Sequence, residues 1–435
     1  MTSADNEQLR ARLAQLTPQQ RVELQRRLRE TRPAAASTPA AAPAAAPTAR
    51  DGARAPRFSL FFFSSDAQHP AAATYDLVRR CAAFADEHGF HAVWMPERHY
   101  DPFGGPYPDP AVLAAAIAAT TRRLRIRAGS VVLPLHDPLQ VAERWAMVDN
   151  LSGGRVDISL ASGWHPQDFV VSPGTFEPRK QVLAERLTQL RTLWAGGTLE
   201  RTDGAGTTVA VAAYPRPVQA SLDVWLTSSS NPATWRTAAR MGTNVLTALL
   251  EQSVEELAEK AAVYREARQA EGLAPDAGEI TVMLHTLVGT DVDAVRRLAR
   301  EPLQRYLRSH VDLFEKLVRS RGLDINLDQV TEQDKQTLVE MAFERYFTTN
   351  GLFGTPQTAL ERVRALVAAG ATEIACLVDF GVGHDAVVEH LVHLRRLADL
   401  ATAEFAAEAA EPAGKPAQEP AAEPAQEPAT VPAAV

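Results

Sequence analysis

From Phe58 onward, short runs of β-branched and aromatic residues alternate with longer segments whose apolar positions recur every three or four residues. The first periodicity marks strands and the second amphipathic helices. Eight strands are predicted: 58–63 (FSLFFF), 91–96 (HAVWMP), 124–133 (LRIRAGSVVL), 155–161 (RVDISLA), 223–228 (DVWLTS), 243–248 (TNVLTA), 280–289 (ITVMLHTLVG) and 373–380 (EIACLVDF). Helical patterns fall near 74–88, 109–122, 138–150, 177–196, 232–241, 253–271, 291–319 and 384–402. Strand–helix alternation of this kind, ending on a helix, predicts an α/β chain folded as a closed (β/α)8 TIM barrel rather than an open doubly wound sheet. Residues 305–355 are longer than a βα connection requires, so an insertion is expected before the last strand. Its aromatic residues Tyr346, Phe347 and Phe353 equip it to pack over the barrel mouth.

The flanks follow a different pattern. Residues 33–56 are nearly all Ala, Pro, Thr or Ser, and residues 404–435 are rich in Pro, Ala and Glu. Neither stretch has the apolar surface to order itself, which predicts a linker and a disordered tail around a barrel at 57–403. Within 1–32, Leu9, Leu13 and Leu16 share a helical face, and Thr17-Pro18-Gln19-Gln20 then supplies a cap, a first-turn proline and a capping-box Gln ahead of Val22, Leu24 and Leu28. Thirty residues cannot enclose a core alone, so this helical hairpin is expected to dock on a partner, with docking on the barrel domain as the alternative.

Composition narrows the function classes. The 435 residues are 46% hydrophobic and carry a formal charge of −8, which gives no basic footprint for nucleic acid or an anionic membrane. No run approaches the ~20 apolar residues of a membrane span and the N-terminus lacks a signal-peptide core, so a cytoplasmic location is expected. Cys81 and Cys376 lie in apolar contexts, RRCAAFADE and EIACLVDF, and read as small core residues.

In a barrel, chemistry sits where strands end. That rule selects Ser64-Ser65-Asp66, Glu97-Arg98-His99-Tyr100, Leu133-Pro134, Ser162-Gly163-Trp164-His165, Ser228-Ser229-Ser230-Asn231 and Asp379-Phe380-Gly381. The serines at 228–230, followed by a helix start at Asn231-Pro232, suit a phosphate; ordinary helix capping is the competing reading. His99 and His165 could transfer protons, with Glu97 and Arg98 beside the first. Trp164 could pack on a flat ring, or simply belong to the core. Gly381-Val382-Gly383-His384-Asp385-Ala386 mimics a dinucleotide-binding turn but opens the final helix, with no strand beyond it. The pairs His390/His393 and His88/His91 lack a third ligand, so no metal is expected. Ser162 lacks the first glycine of a hydrolase elbow.

Taken in order, Glu97-Arg98-His99-Tyr100, GSVVLPLHDP at 129–138, SGGRVDISLASGWHPQDF at 152–169, WLTSSSNP at 225–232, MGTNVLT at 241–247 and Gly354-Thr355-Pro356 resemble the bacterial-luciferase-like flavin-dependent monooxygenases. The resemblance runs from about Phe58 to Leu400. Within that family the chain looks most like the branch associated with polyketide and nonribosomal peptide assembly lines, and Leu16 to Arg21 is similar to short helical pieces that precede such modules. The resemblance implies a (β/α)8 barrel that uses reduced FMN, delivered by a separate flavin reductase, and O2 as co-substrate. It also implies a substrate presented on an acyl or peptidyl carrier protein of a megasynthase module, with homo-oligomers possible. By position, Ser228 and Ser229 match the phosphate site, and Ser130, Ser162, Gly163 and Trp164 match the strand ends that line the flavin ring. Glu97 and His99 match the acid and second histidine of a Glu-His-His motif whose first histidine is Arg98 here. The reactive-thiol position is Ala161, so light emission is not implied. Catalysis is then expected of His99, Arg98 and His165. Two other outcomes stay open: an F420- or FMN-dependent oxidoreductase without oxygen insertion, and a non-catalytic flavin-binding or docking module.

Overall fold

The computed structural model describes residues 55–63, 70–102, 104–228, 231–249, 252–308 and 332–410. The N-terminal hairpin, most of the linker, Ser64-Ser65-Asp66, Ser229, Ser230 and residues 411–435 lie outside the described residues. The described strands are β1 (Arg57–Phe61), β2 (Ala92–Met95), β3 (Arg125–Val132), β4 (Val156–Ala161), β5 (Leu199–Thr202), β6 (Thr208–Val211), β7 (Val224–Thr227), β8 (Asn244–Ala248), β9 (Ile280–Val288), β10 (Leu352–Gly354) and β11 (Glu373–Leu377). Parallel pairing runs β1-β2-β3-β4-β7-β8-β9-β11 and returns from β11 to β1, which closes an eight-stranded barrel. Each predicted strand is present, and the predicted (β/α)8 class holds.

Around the barrel lie α1 (Ala71–Glu87), α2 (Pro110–Ala118), α3 (Pro138–Ser152), α4 (Arg179–Trp194), α5 (Pro232–Arg240), α6 (Val254–Ala270), α7 (Val292–Arg308), α8 (Glu332–Arg345), α9 (Pro356–Ala368) and α10 (His384–Ala410). Local sequence fixes where several of them begin. Asp109, Asp137, Asn231 and Thr355 each precede a proline, and each side chain accepts a backbone N–H from the first turn. Proline at the next position already has helical φ and no N–H to leave unpaired. Ser253 and Glu256 complete a reciprocal capping box at the start of α6.

Four details depart from expectation, the first being α9 (Pro356–Ala368), a helix that was not predicted. β5 and β6 form an antiparallel hairpin about Asp203–Gly206 whose side chains alternate between exposed and half-buried, so no apolar stripe announces it. β10 pairs with Thr286–Val288 of β9, beyond the part of β9 that β11 covers. The last helix, expected to stop near 402 with a tail from 404, continues to Ala410 because Ala401 and Phe405 are buried. In the described part of the insertion, Tyr346 and Phe353 pack against His285 and Phe380 respectively, at the ends of β9 and β11.

Both faces of the sheet are covered. Ile126, Ala128, Ile158, Leu160, Val224 and Leu226 join the cluster beneath the helices, whereas Phe61, Trp94, Trp225, Leu246, Ala375 and Leu377 pack inside the barrel. Inside, below the mouth, lies a buried charge network. Arg127 donates from Nε to Asp157 Oδ2 at 2.7 Å and from Nη1 to Glu373 Oε2 at 2.6 Å, while its guanidinium lies 4.8 Å from the Trp94 ring centre and 4.3 Å from that of Trp225. Nη2 also donates to His91 Nε2, whose burial lowers that imidazole to about 4 and keeps it a neutral acceptor. Cys81 and Cys376 are buried free thiols, and burial pushes both up in pKa, as suits inert core residues.

Candidate active site at the barrel mouth

Glu97 stands two residues past β2 with its side chain 1% exposed. Its Oε2 accepts the Val132 N–H at 3.0 Å, joining the ends of β2 and β3. Its Oε1 accepts from Nε2 of His99 at 2.8 Å and from Nε2 of His136 at 2.6 Å. An ionised carboxylate can only accept, so both imidazoles must carry hydrogen on Nε2. Burial alone would raise the Glu97 carboxyl, but the hydrogen bonds from His136 and His99 outweigh it and hold the group below the usual carboxylate range. The bond to Glu97 in turn raises His99, against the effect of burial. His136 was not among the predicted site residues. Its signal was a histidine two residues beyond the Leu133-Pro134 strand end.

A second group braces the neighbouring loops. Arg98 is buried and donates through Nη1 to both carboxylate oxygens of Asp168, at 2.6 and 2.7 Å, with Asp101 at 3.4 Å from Nη2. Its guanidinium also lies 5.4 Å from the Trp164 ring centre. The loop after β2 is thus tied to the loop after β4. His165 packs edge-on against Trp164, with Nδ1 3.8 Å from Asp168 Oδ1. Gly163 has φ +81°, and a Cβ there would meet the Phe169 ring at 2.7 Å, so the turn that presents Trp164 requires glycine. Trp164 is 46% exposed, which places it on the rim rather than in the core.

Ser130 follows a register shift in β3, and the Gly129–Ser130 peptide is cis. Its hydroxyl bonds to Ser159 Oγ at 3.0 Å and to Thr227 Oγ1, and Ser159 bonds to Thr227 at 2.8 Å. Three hydroxyls linked in a ring use all three protons among themselves, leaving lone pairs to offer a ligand. Ser228 follows directly, buried, with its N–H on Leu246 O at 2.9 Å. Asn231 caps α5 by accepting from Ala233 N at 2.9 Å, which answers the capping question for that residue. The β4–β7 register, Leu160 opposite Leu226, sets Ser162 to His165 and Ser228 at the same end of the barrel.

Across the mouth, Asp379 accepts from Phe63 N at 2.8 Å and from the Tyr107 hydroxyl at 3.1 Å. Burial pushes its carboxyl up to about 7, with those two donors opposing. Its unfolded-state value is about 3.9, so between about pH 4 and pH 7 the folded chain holds one more proton than the unfolded chain, and stability drains away as pH rises through that window. Asp379→Asn is expected to flatten the dependence by up to about 1.4 kcal/mol per pH unit. Urea unfolding at pH 5 and pH 7 checks this; an unchanged slope refutes it. Nearby, His285 is buried against Tyr306, Tyr346 and Phe380, and burial lowers it to about 3, so the ring stays neutral.

The described residues thus form a closed barrel with a Glu–His–His cluster, a hydroxyl ring and a braced aromatic rim at one mouth. The family model of the luciferase-like monooxygenases matches residues 57–373. The chain belongs to the luciferase-like monooxygenase family. Over 339 residues this luciferase-like monooxygenase is 25% identical to the oxygenase component of the flavin-dependent trigonelline monooxygenase of Acinetobacter baylyi, covering 76% of this chain and 91% of that relative. Its fold matches the oxygenating constituent of 3,6-diketocamphane monooxygenase from Pseudomonas putida, solved with FMN, at a TM-score of 0.63 and 18% identity over 81% of this chain and 98% of that one. The F420-dependent tetrahydromethanopterin reductase of Methanopyrus kandleri matches at 0.60 and 16% identity over 77% and 97% of the two chains. Among the described residues, no helix of this luciferase-like monooxygenase is long and apolar enough to cross a membrane.

Proposed function

We propose that this luciferase-like monooxygenase holds reduced FMN at the barrel mouth and places one oxygen atom of O2 in a substrate borne on an acyl or peptidyl carrier protein of a natural-product assembly line. A separate reductase supplies the reduced flavin. The observation that carries this reading is the Glu97–His99–His136 cluster beyond β2 and β3, a buried carboxylate that keeps a proton on imidazole, with the Ser130–Ser159–Thr227 ring on β3, β4 and β7. The side chains suit a flavin: Ser130 offers a lone pair and Ser162 a hydroxyl to the polar edge of the ring, with Gly163 and Trp164 beside them, and Ser228 with Ser229 for the phosphate. When bound, FMN supplies the electrons for O2 reduction. The flavin-dependent relative favours FMN over F420.

The protein's own part is proton placement and shielding. His99, whose imidazole the bond to Glu97 raises, is positioned to give a proton to a leaving oxygen. Arg98 fixes Asp168 and Trp164, so its main work is to keep the two mouth loops in place. His165, on the rim, is the second candidate proton donor. Candidate carrier-bound thioesters incubated with the protein, FMN, a reductase and 18O2 are expected to gain one labelled oxygen by mass spectrometry. An oxidised or reduced product without label would replace this reading with an oxidoreductase that inserts no oxygen. Absence of any flavin-dependent oxygen uptake would replace it with a non-catalytic docking module.

A further inference from the structure

Glu97, His99 and His136 bring a carboxylate oxygen and two imidazole nitrogens within 4.8 Å of one another, and among the described residues no other trio of His, Cys, Asp or Glu converges so closely. Both rings aim Nε2 at the same Oε1, with ring centres 6.5 Å apart and planes inclined by 49°. Two imidazoles and one carboxylate are a donor set that zinc-class ions take, usually with a fourth position left to water. Donors about 2.0–2.2 Å from a tetrahedral ion stand about 3.5 Å from each other, so the observed bonds of 2.6 and 2.8 Å need open by less than about 1 Å.

The surroundings suit an ion as well as a proton. Oε2 is held by the Val132 N–H at 3.0 Å, which orients the carboxylate and leaves Oε1 as a single-atom ligand. Arg98, next to Glu97 in the chain, is paired with Asp168 and lies 3.4 Å from Asp101, which offsets its charge. His99 and His136 are 16% and 19% exposed, against 1% for Glu97, so an ion can enter from the imidazole side.

We propose that Glu97, His99 and His136 form a binding site for one divalent transition-metal ion of the zinc class. On binding, each Nε2 exchanges its hydrogen for the ion, the proton passing to Nδ1 or to water. A bound ion would then inhibit by occupying the imidazoles that handle protons. That consequence rests on the function proposed above, whereas the binding does not.

The test uses tag-free, chelator-treated full chain titrated with Zn2+ by calorimetry and with Co2+ by visible absorption. One ion per chain and a tetrahedral-type Co2+ spectrum are expected. His99→Ala, His136→Ala and Glu97→Gln are each expected to weaken Zn2+ binding at least tenfold, judged on those variants that keep the wild-type melting curve. His393→Ala, which breaks the pair with His390 on α10, is expected to leave it unchanged. No saturable site, equal affinity in the mouth variants, or loss in His393→Ala instead would overturn the proposal. Because binding is read without turnover, its failure is separate from any failure of oxygenation.

Discussion

Arg127→Leu is expected to lower the unfolding free energy by about 3–5 kcal/mol, because removing one member of a buried ion-pair network leaves the others as uncompensated charge. Asp157 would keep Arg125, and Glu373 would keep the donors Ser59 and Trp94, but neither would retain the guanidinium that links them inside the barrel. A loss of that size is a large share of the ~5–15 kcal/mol typical of a folded domain. Burial would raise the Glu373 carboxyl, yet Arg127 above all, with Arg57 and the Ser59 hydroxyl, holds it down to about 2. Wild-type stability from this group is therefore present above the unfolded value near 4.3 and falls away as pH drops towards 2. In Arg127→Leu the carboxyl is expected to titrate upward instead, so the defect should shrink between pH 7 and pH 4. Adding Glu373→Gln to Arg127→Leu should recover part of the loss. Urea unfolding followed by circular dichroism measures all three; a single-variant loss under about 1 kcal/mol would show that the network does not hold the barrel together.

His99→Ala is expected to reduce kcat by about 10²–10⁴, the range associated with a positioned proton donor, while FMN binding stays near wild type. The split follows from position: His99 bonds to Glu97, whereas of the serines proposed for the cofactor Ser130 lies on β3, Ser162 directly after β4 and Ser228 directly after β7. Glu97→Gln supplies the companion measurement. Since Glu97 raises His99, the glutamine variant should lose its proton donor at lower pH and move the alkaline limb of the rate profile to the acid side. Flavin titration beside steady-state rates at several pH values decides the matter. Equal turnover in His99→Ala would transfer the role to His165 or His136.

Legibility in the sequence differed by level. Helix starts were readable where Asp109-Pro110, Asp137-Pro138 and Asn231-Pro232 cap and constrain within one turn of chain, whereas the helix that Thr355-Pro356 opens was not predicted although it carries the same signal. The hairpin β5–β6 was not, because its strands bury no continuous face. At the mouth, Glu97, Arg98 and His99 stood out as neighbours at one strand end, but the sequence offered no reason to pair Arg98 with Asp168, 70 residues on.

The sequence by itself determined the strand–helix rhythm, the closed (β/α)8 class and the strand ends on which polar residues cluster, since each of these depends on periodicity and short-range caps. Tertiary structure alone decided that His136 completes the Glu97–His99 cluster, that Arg98 braces loops as well as carrying charge, and that Arg127 lies inside the barrel between two tryptophans. The physical reason is closure. In a barrel sheathed by helices both faces of every strand are buried, so alternation along Arg125 to Val132 cannot say which face looks inward, and partners from distant strands meet only when the last strand pairs with the first.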